Sequence, residues 1–143
     1  LYAAKICSYA QGFALLKLAV SEYQYDFNFG EIARIWSGGC IIRARLLQSI
    51  QKAFLNNPNL NNLMIDPDFA DELNKRQLAL RKVVSIAAEN GVPLLGFSSA
   101  LAYYDAYRCD RLPSNLTQAQ RDYFGAHTYR RVDRAGIFHT QWQ

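Results

Sequence analysis

Apolar positions recur at steps of three and four from the first residues onward. Tyr2, Ile6, Tyr9, Phe13, Leu16 and Val20 form one stripe through about Glu22, the mark of an amphipathic helix with a packed face. Tyr23 to Phe29 is aromatic and polar without a clean period and reads as a connector. Asn28 stands three residues before Glu31, close to a capping box. It predicts a short helix that buries Ile32, Ile35 and Trp36 and ends at Gly38-Gly39, because glycine accepts the left-handed backbone of a helix stop. The helical period resumes in Cys40 to Asn56 with Ile42, Leu46, Leu47, Ile50 and Phe54. It stops at Asn56-Asn57-Pro58-Asn59, where proline cannot continue the ladder.

Leu60 to Ile65 reads as a short apolar turn. Asp66-Pro67 is a strong start, with the aspartate as cap and proline at the first helical position. Phe69, Leu73, Leu80, Val84 and Ala87 then mark the buried stripe of a helix to about Asn90, closed by Gly91 and Pro93. Ser98 or Ser99 is expected to cap the next helix, which carries Leu101, Tyr104 and Arg108 on one side. Pro113-Ser114-Asn115 opens a last short helix. Its pattern points Leu116, Ala119 and Tyr123 to the core and Gln118, Arg121 and Asp122 away, with Gly125 as the stop. Beyond Tyr129 the residues are charged and turn-forming, and Ile137 to Gln143 looks extended. Phe138 and Trp142 cannot be buried by so short a tail alone, so they must dock on this domain or on a partner chain. The expected class is all-α, with five to seven helices and an extended C-terminal tail. The expected division is a helical domain over 1–128 and a tail over 129–143.

Composition narrows the picture. Half of the 143 residues are apolar and a fifth are charged, as in an ordinary globular domain. No apolar run approaches the ~20 residues of a membrane span, so no membrane partner is expected. The chain starts inside a helical pattern without Met or a cap, which reads as a piece of a longer protein. The three cysteines, Cys7, Cys40 and Cys109, are widely spaced, and no Cys/His ligand spacing points to a metal. They suit the reduced thiols of a cytoplasmic protein. The net charge of +4 comes largely from Arg121, Arg130, Arg131 and Arg134, late in the chain. It favours an anionic partner without naming one. Asp133 interrupts the cluster and Tyr129 is its only close aromatic, so a nucleic-acid groove is not the expected use. Gly38-Gly39 matches neither a Walker loop nor a dinucleotide fingerprint.

The candidate chemistry lies in Gln118-Ala119-Gln120-Arg121-Asp122-Tyr123-Phe124-Gly125-Ala126-His127-Thr128-Tyr129. Arg121 offers a planar, permanently charged fork for phosphate or carboxylate, and His127 can donate, accept or shuttle a proton near neutrality. A helix that ends at Gly125 would let the chain turn back and bring the two donors together. Alone, the pairing marks a candidate anion site, while a surface arginine beside a half-buried histidine is the more ordinary reading.

This run resembles the C-terminal signature of the 6-phosphogluconate dehydrogenases. Lys5-Ile6-Cys7-Ser8-Tyr9-Ala10-Gln11-Gly12-Phe13, Gly39-Cys40-Ile41-Ile42-Arg43 and Phe138-His139-Thr140-Gln141-Trp142 agree with the same family in order and spacing. The resemblance implies an enzyme that oxidises 6-phosphogluconate with NADP and decarboxylates the product to ribulose 5-phosphate. It implies a homodimer whose C-terminal tails exchange between subunits. It makes Arg121 the arginine on the substrate phosphate and His127 the histidine beside it, both acting on substrate held mainly by the other subunit. NADP would be bound mainly by a Rossmann domain that this sequence does not contain. The family's catalytic lysine and glutamate have no counterpart here, so no catalytic residue is assigned and the isolated piece is expected to lack hydride-transfer activity. Ser37 stands where the family carries arginine, and that position takes no role. The alternative reading is a non-enzymatic helical module for dimerisation or anion binding.

Overall fold

A computed structural model describes residues 1–142; the last residue of the expected tail, Gln143, lies outside them. The described residues hold six α-helices: α1 (Tyr2–Tyr23), α2 (Phe29–Gly39), α3 (Leu46–Asn56), α4 (Pro67–Glu89), α5 (Leu95–Tyr107) and α6 (Asn115–Gly125). A 3-10 turn, Leu63–Ile65, sits between α3 and α4. The all-α expectation holds. The chain falls into two compact units, Leu1–Tyr107 and the segment from Arg108 onward.

In the first unit, α1 packs on α4, α5 and the 3-10 turn, while α2 packs on α3. The middle of the α1 stripe works as its period predicts, with Ile6 and Phe13 buried and Tyr9 and Leu16 packed against the core, whereas Tyr2 at its start is exposed. Phe13 collects rings from two further helices, with Phe29 at 6.2 Å, Trp36 at 5.4 Å and Phe54 at 5.1 Å between centroids. The start of α4 is as its sequence requires, because Asp66 Oδ1 accepts from the backbone N–H of Asp68 at 3.1 Å and Phe69 at 3.3 Å. Lys17 ties α1 to the loop after α3, donating to the carbonyls of Asn59 and Leu60 and to Asn61 Oδ1. Asn62 is a buried polar residue; it donates to Tyr103 Oη at 2.7 Å and accepts from the Met64 N–H at 2.9 Å.

Several local expectations fail in this unit, among them the left-handed stop, since neither Gly38 nor Gly39 has a positive φ. Cys40 to Arg45 is not helical, because the backbone of Cys40 leaves α2 extended and a turn then closes from Arg43 N–H to the Cys40 carbonyl. Ile41 and Ile42 are therefore exposed, and Ile42 contributes its carbonyl to the Tyr9 hydroxyl at 2.7 Å. Ile35 is exposed too, since α2 presents Ala33, Ile32 and Trp36 to its neighbours and turns Ile35 outward. Neither Ser98 nor Ser99 caps α5: the Ser98 N–H already bonds the Leu94 carbonyl, so the helix is running before either serine. Ser37 closes locally, donating to the Arg34 carbonyl.

The second unit is α6 followed by a returning strand-like segment. Tyr129 and Phe138 pair antiparallel through two mutual backbone hydrogen bonds of 2.9 Å. The residues between them form a loop in which Arg131 pairs with Asp133 and Arg134 lies over the Phe138 ring, 4.5 Å from its centroid. The segment after Phe138 runs back along α6, where the Trp142 ring meets Tyr123 edge to face at 5.6 Å.

Candidate functional site

α6 keeps Arg121 exposed as its pattern predicts and half-buries Ala119, but at three positions the pattern fails. Leu116 and Tyr123 are exposed, and Asp122 is fully buried. A buried carboxylate must be matched by donors. Asp122 has four, all from residues that follow it. Oδ1 accepts from the Thr128 N–H at 3.1 Å and from His139 Nδ1 at 2.9 Å. Oδ2 accepts from the Thr140 N–H at 2.9 Å and from Trp142 Nε1 at 3.0 Å. Burial pushes the carboxyl upward, but the hydrogen bonds from His139, Thr140 and Trp142 outweigh it and hold the pKa down at about 2. The group is thus a carboxylate at neutral pH and accepts only, so the His139 tautomer beside it carries its proton on Nδ1.

Arg121 and His127 sit on either side of this anchor and are exposed. Arg121 belongs to α6, four residues before its last residue, Gly125. The helix ends at Ala126, with φ 49° and ψ 38° in the left-handed region, and its N–H returns to the carbonyls of Arg121 and Asp122. α6 therefore ends at Gly125 as expected, but the left-handed residue that turns the chain is Ala126. Thr128 also has a left-handed φ, at 63°. For a β-branched residue this is strained, a cost of order 1–3 kcal/mol that persists only where neighbours over-determine it. The Thr128 N–H bond to Asp122 is one such determinant. His127 is thus held between two left-handed residues, and its N–H points at the Arg121 carbonyl at 3.4 Å. Its ring lies over Gly125, close enough that a Cβ there would meet Nε2 at 2.6 Å. The glycine is needed for space.

Arg121 and His127 are thus both exposed, six residues apart, with the histidine's backbone set by the turn after α6. An arginine fork and a histidine donor are residue types suited to an oxyanion. In the same unit Arg111, Gln118, Arg130, Arg131, Thr140 and Trp142 line an open groove of about 440 Å³, which Arg121 and His127 do not border. Within that lining Arg131 is already committed to Asp133, through bonds of 2.7 and 2.6 Å. Among the described residues no cluster of His, Cys, Asp or Glu is arranged to hold a metal ion. No helix among them is long and apolar enough to cross a membrane. Cys7 is buried in the first unit, and burial raises its thiol to about 11, which leaves it inert as a nucleophile. Asp122 escaped the sequence pattern, because what buries it are donors 6 to 20 residues further along the chain.

The sequence matches the family described as 6-phosphogluconate dehydrogenase, C-terminal domain, over residues 1–142. Over 142 residues it is 60% identical to the decarboxylating 6-phosphogluconate dehydrogenase of Synechococcus elongatus, covering 99% of this chain and 30% of that protein. It is 58% identical to the NADP(+)-dependent, decarboxylating 6-phosphogluconate dehydrogenase of Bacillus subtilis, again over 99% of this chain and 30% of the relative. The fold superposes on Plasmodium falciparum 6-phosphogluconate dehydrogenase with a TM-score of 0.89 at 50% identity, covering 99% of this chain and 30% of that one. That structure is described in its apo form and in complexes with NADP+ and with 6-phosphogluconate. The chain thus spans 30% of the length of these relatives. A match that runs through both units, from the first helix to the tail on α6, makes this chain a member of the 6-phosphogluconate dehydrogenase family, in the part that forms the family's C-terminal domain.

Proposed function

We propose that this chain is the C-terminal part of an NADP-dependent enzyme that oxidatively decarboxylates 6-phosphogluconate to ribulose 5-phosphate. The observation that carries the reading is 60% identity, sustained over 142 residues, to a relative named for that chemistry. In this reading Arg121 binds the substrate phosphate and His127 stands beside it. The protein works in the cytoplasm as a homodimer, with helical domain 1–128 and tail 129–143. The tail docks on the partner subunit together with the α6 on which it is seated, so that both residues complete the partner's site. NADP and the acid/base groups belong to the remainder of the enzyme. The exposure of Arg121 and His127, and the pre-set loop under His127, suit a site finished by another surface.

The test is Arg121→Ala in the complete enzyme. A charged hydrogen bond is worth about 1.5–3 kcal/mol, so the KM for 6-phosphogluconate should rise about tenfold to a hundredfold. The KM for NADP should stay within about twofold. Equal effects on both ligands would remove the phosphate role.

A further inference from the structure

Four donors converge on one carboxylate at the end of α6, and they come from two different segments. Thr128 belongs to the loop that carries His127, and His139, Thr140 and Trp142 belong to the returning tail. The carboxylate divides its oxygens between them. Oδ1 bridges loop and tail through Thr128 and His139, while Oδ2 holds the tail alone. Among the described residues no buried side-chain N or O lacks a hydrogen-bond partner, so this junction is fully satisfied and has no slack. The loop is also strained, with left-handed backbone on both sides of His127 at Ala126 and Thr128. A strained loop keeps its shape only while its restraints are in place.

We propose that Asp122 is the positioning residue of the substrate-phosphate site: it couples the seating of the tail to the placement of His127. This rests on the reading of Arg121 and His127 as phosphate ligands. Asp122 touches no substrate in this scheme. It acts through the Thr128 N–H on one side and through the tail donors on the other. When the tail is unseated, the carboxylate loses three donors and gains water, and the Thr128 bond that holds the left-handed loop weakens in that wetter setting. Assembly of the tail and readiness of the site become one event.

The experiment is a double-mutant cycle in the complete enzyme. Asp122→Asn is isosteric, but its amide nitrogen can only donate and so opposes one of the two donor pairs. A second variant ends the chain at Phe138, which removes the three tail donors and leaves the Tyr129–Phe138 pairing in place. Each variant alone should raise the KM for 6-phosphogluconate at least tenfold, with kcat and the KM for NADP within twofold. The combined variant should be no worse than the poorer single one, because both break the same coupling. A generally loosened fold would lower kcat and weaken NADP binding as well, so the KM-against-kcat split separates positioning from structure. Effects of the two variants that multiply would overturn the coupling. A loss shared equally by 6-phosphogluconate and NADP would overturn the positioning role. Should Asp122→Asn fail to fold, His139→Ala and Trp142→Phe each remove one donor; an unchanged KM for 6-phosphogluconate in both then sinks the proposal. If Arg121→Ala leaves that KM unchanged while the cycle still couples, the phosphate assignment fails, and what remains is a coupling to some other part of the substrate.

Discussion

A Cβ placed on Gly125 would come within 2.6 Å of His127 Nε2 and 2.9 Å of its Cδ2, well inside any real contact. The ring would have to move, because the atoms met are those of the His127 side chain. The neighbouring residue, Ala126, is the one in the left-handed region, and a side chain is tolerated there at modest cost. Gly125 therefore ends α6 without supplying its left-handed turn, and it leaves the space that His127 occupies. Gly125→Ala in the complete enzyme should leave the melting temperature within a few degrees, since alanine favours a helix interior by about 0.5–1 kcal/mol over glycine. It should still raise the KM for 6-phosphogluconate several-fold by displacing the ring. Steady-state kinetics with a thermal melt on the same sample checks both halves. A variant with native KM would mean that the placement of His127 over Gly125 does not matter for binding.

At the level of elements, helices whose ends are chemically marked could be read from sequence, and helices whose ends are set by distant contacts could not. Asp66-Pro67 defines the start of α4 by local chemistry, and both the cap bonds and the buried face at Phe69, Leu73, Leu80 and Ala87 follow. The cap itself should be worth about 1 kcal/mol. Asp66→Ala should lower stability by that amount in chemical denaturation, while Asp68→Ala, whose carboxylate meets only exposed Lys52, should cost less. A cap loss below a few tenths of a kcal/mol would show that packing alone sets the α4 start. The α6 reading failed at Leu116, Asp122 and Tyr123 for the opposite reason. Apolar periodicity assumes that a helix turns its apolar side inward, and a short helix of 11 residues can instead bury a carboxylate when later residues bring the donors. Nothing within α6 announces the His139, Thr140 and Trp142 contacts. Arg121 and His127 are proposed from the run around them, whereas the bonds that hold the loop carrying His127 appear only once the tail is folded back. The break at Cys40 to Arg45 is similar: the Tyr9 hydroxyl on the Ile42 carbonyl holds a turn where the period alone continues a helix.

For the whole molecule, the apolar surface bears on assembly. Leu15 and Leu18 on α1 are 67% and 69% exposed, Leu78 on α4 is 70%, and Leu116 and Phe124 on α6 are 73% and 80%. Exposed leucines taken singly are ordinary. Their presence on helices of both units, in a chain that spans 30% of its relatives, fits surfaces that the rest of the protein or a second copy covers. In the proposed dimer the tail is the segment that joins copies. It is anchored through side chains and a short backbone pairing, with Trp142 still 43% exposed after docking on α6. If the tail is the clamp, ending the complete enzyme at Thr128 should convert a dimer to monomers. Sedimentation velocity over a concentration series would show this, as a midpoint of dissociation raised at least tenfold. The same truncation removes the His139, Thr140 and Trp142 donors from Asp122, so 6-phosphogluconate affinity should fall in step with dimer affinity. Loss of substrate affinity with an intact dimer would confine the tail to the site beneath Asp122, and loss of the dimer with unchanged KM would separate the clamp from the site.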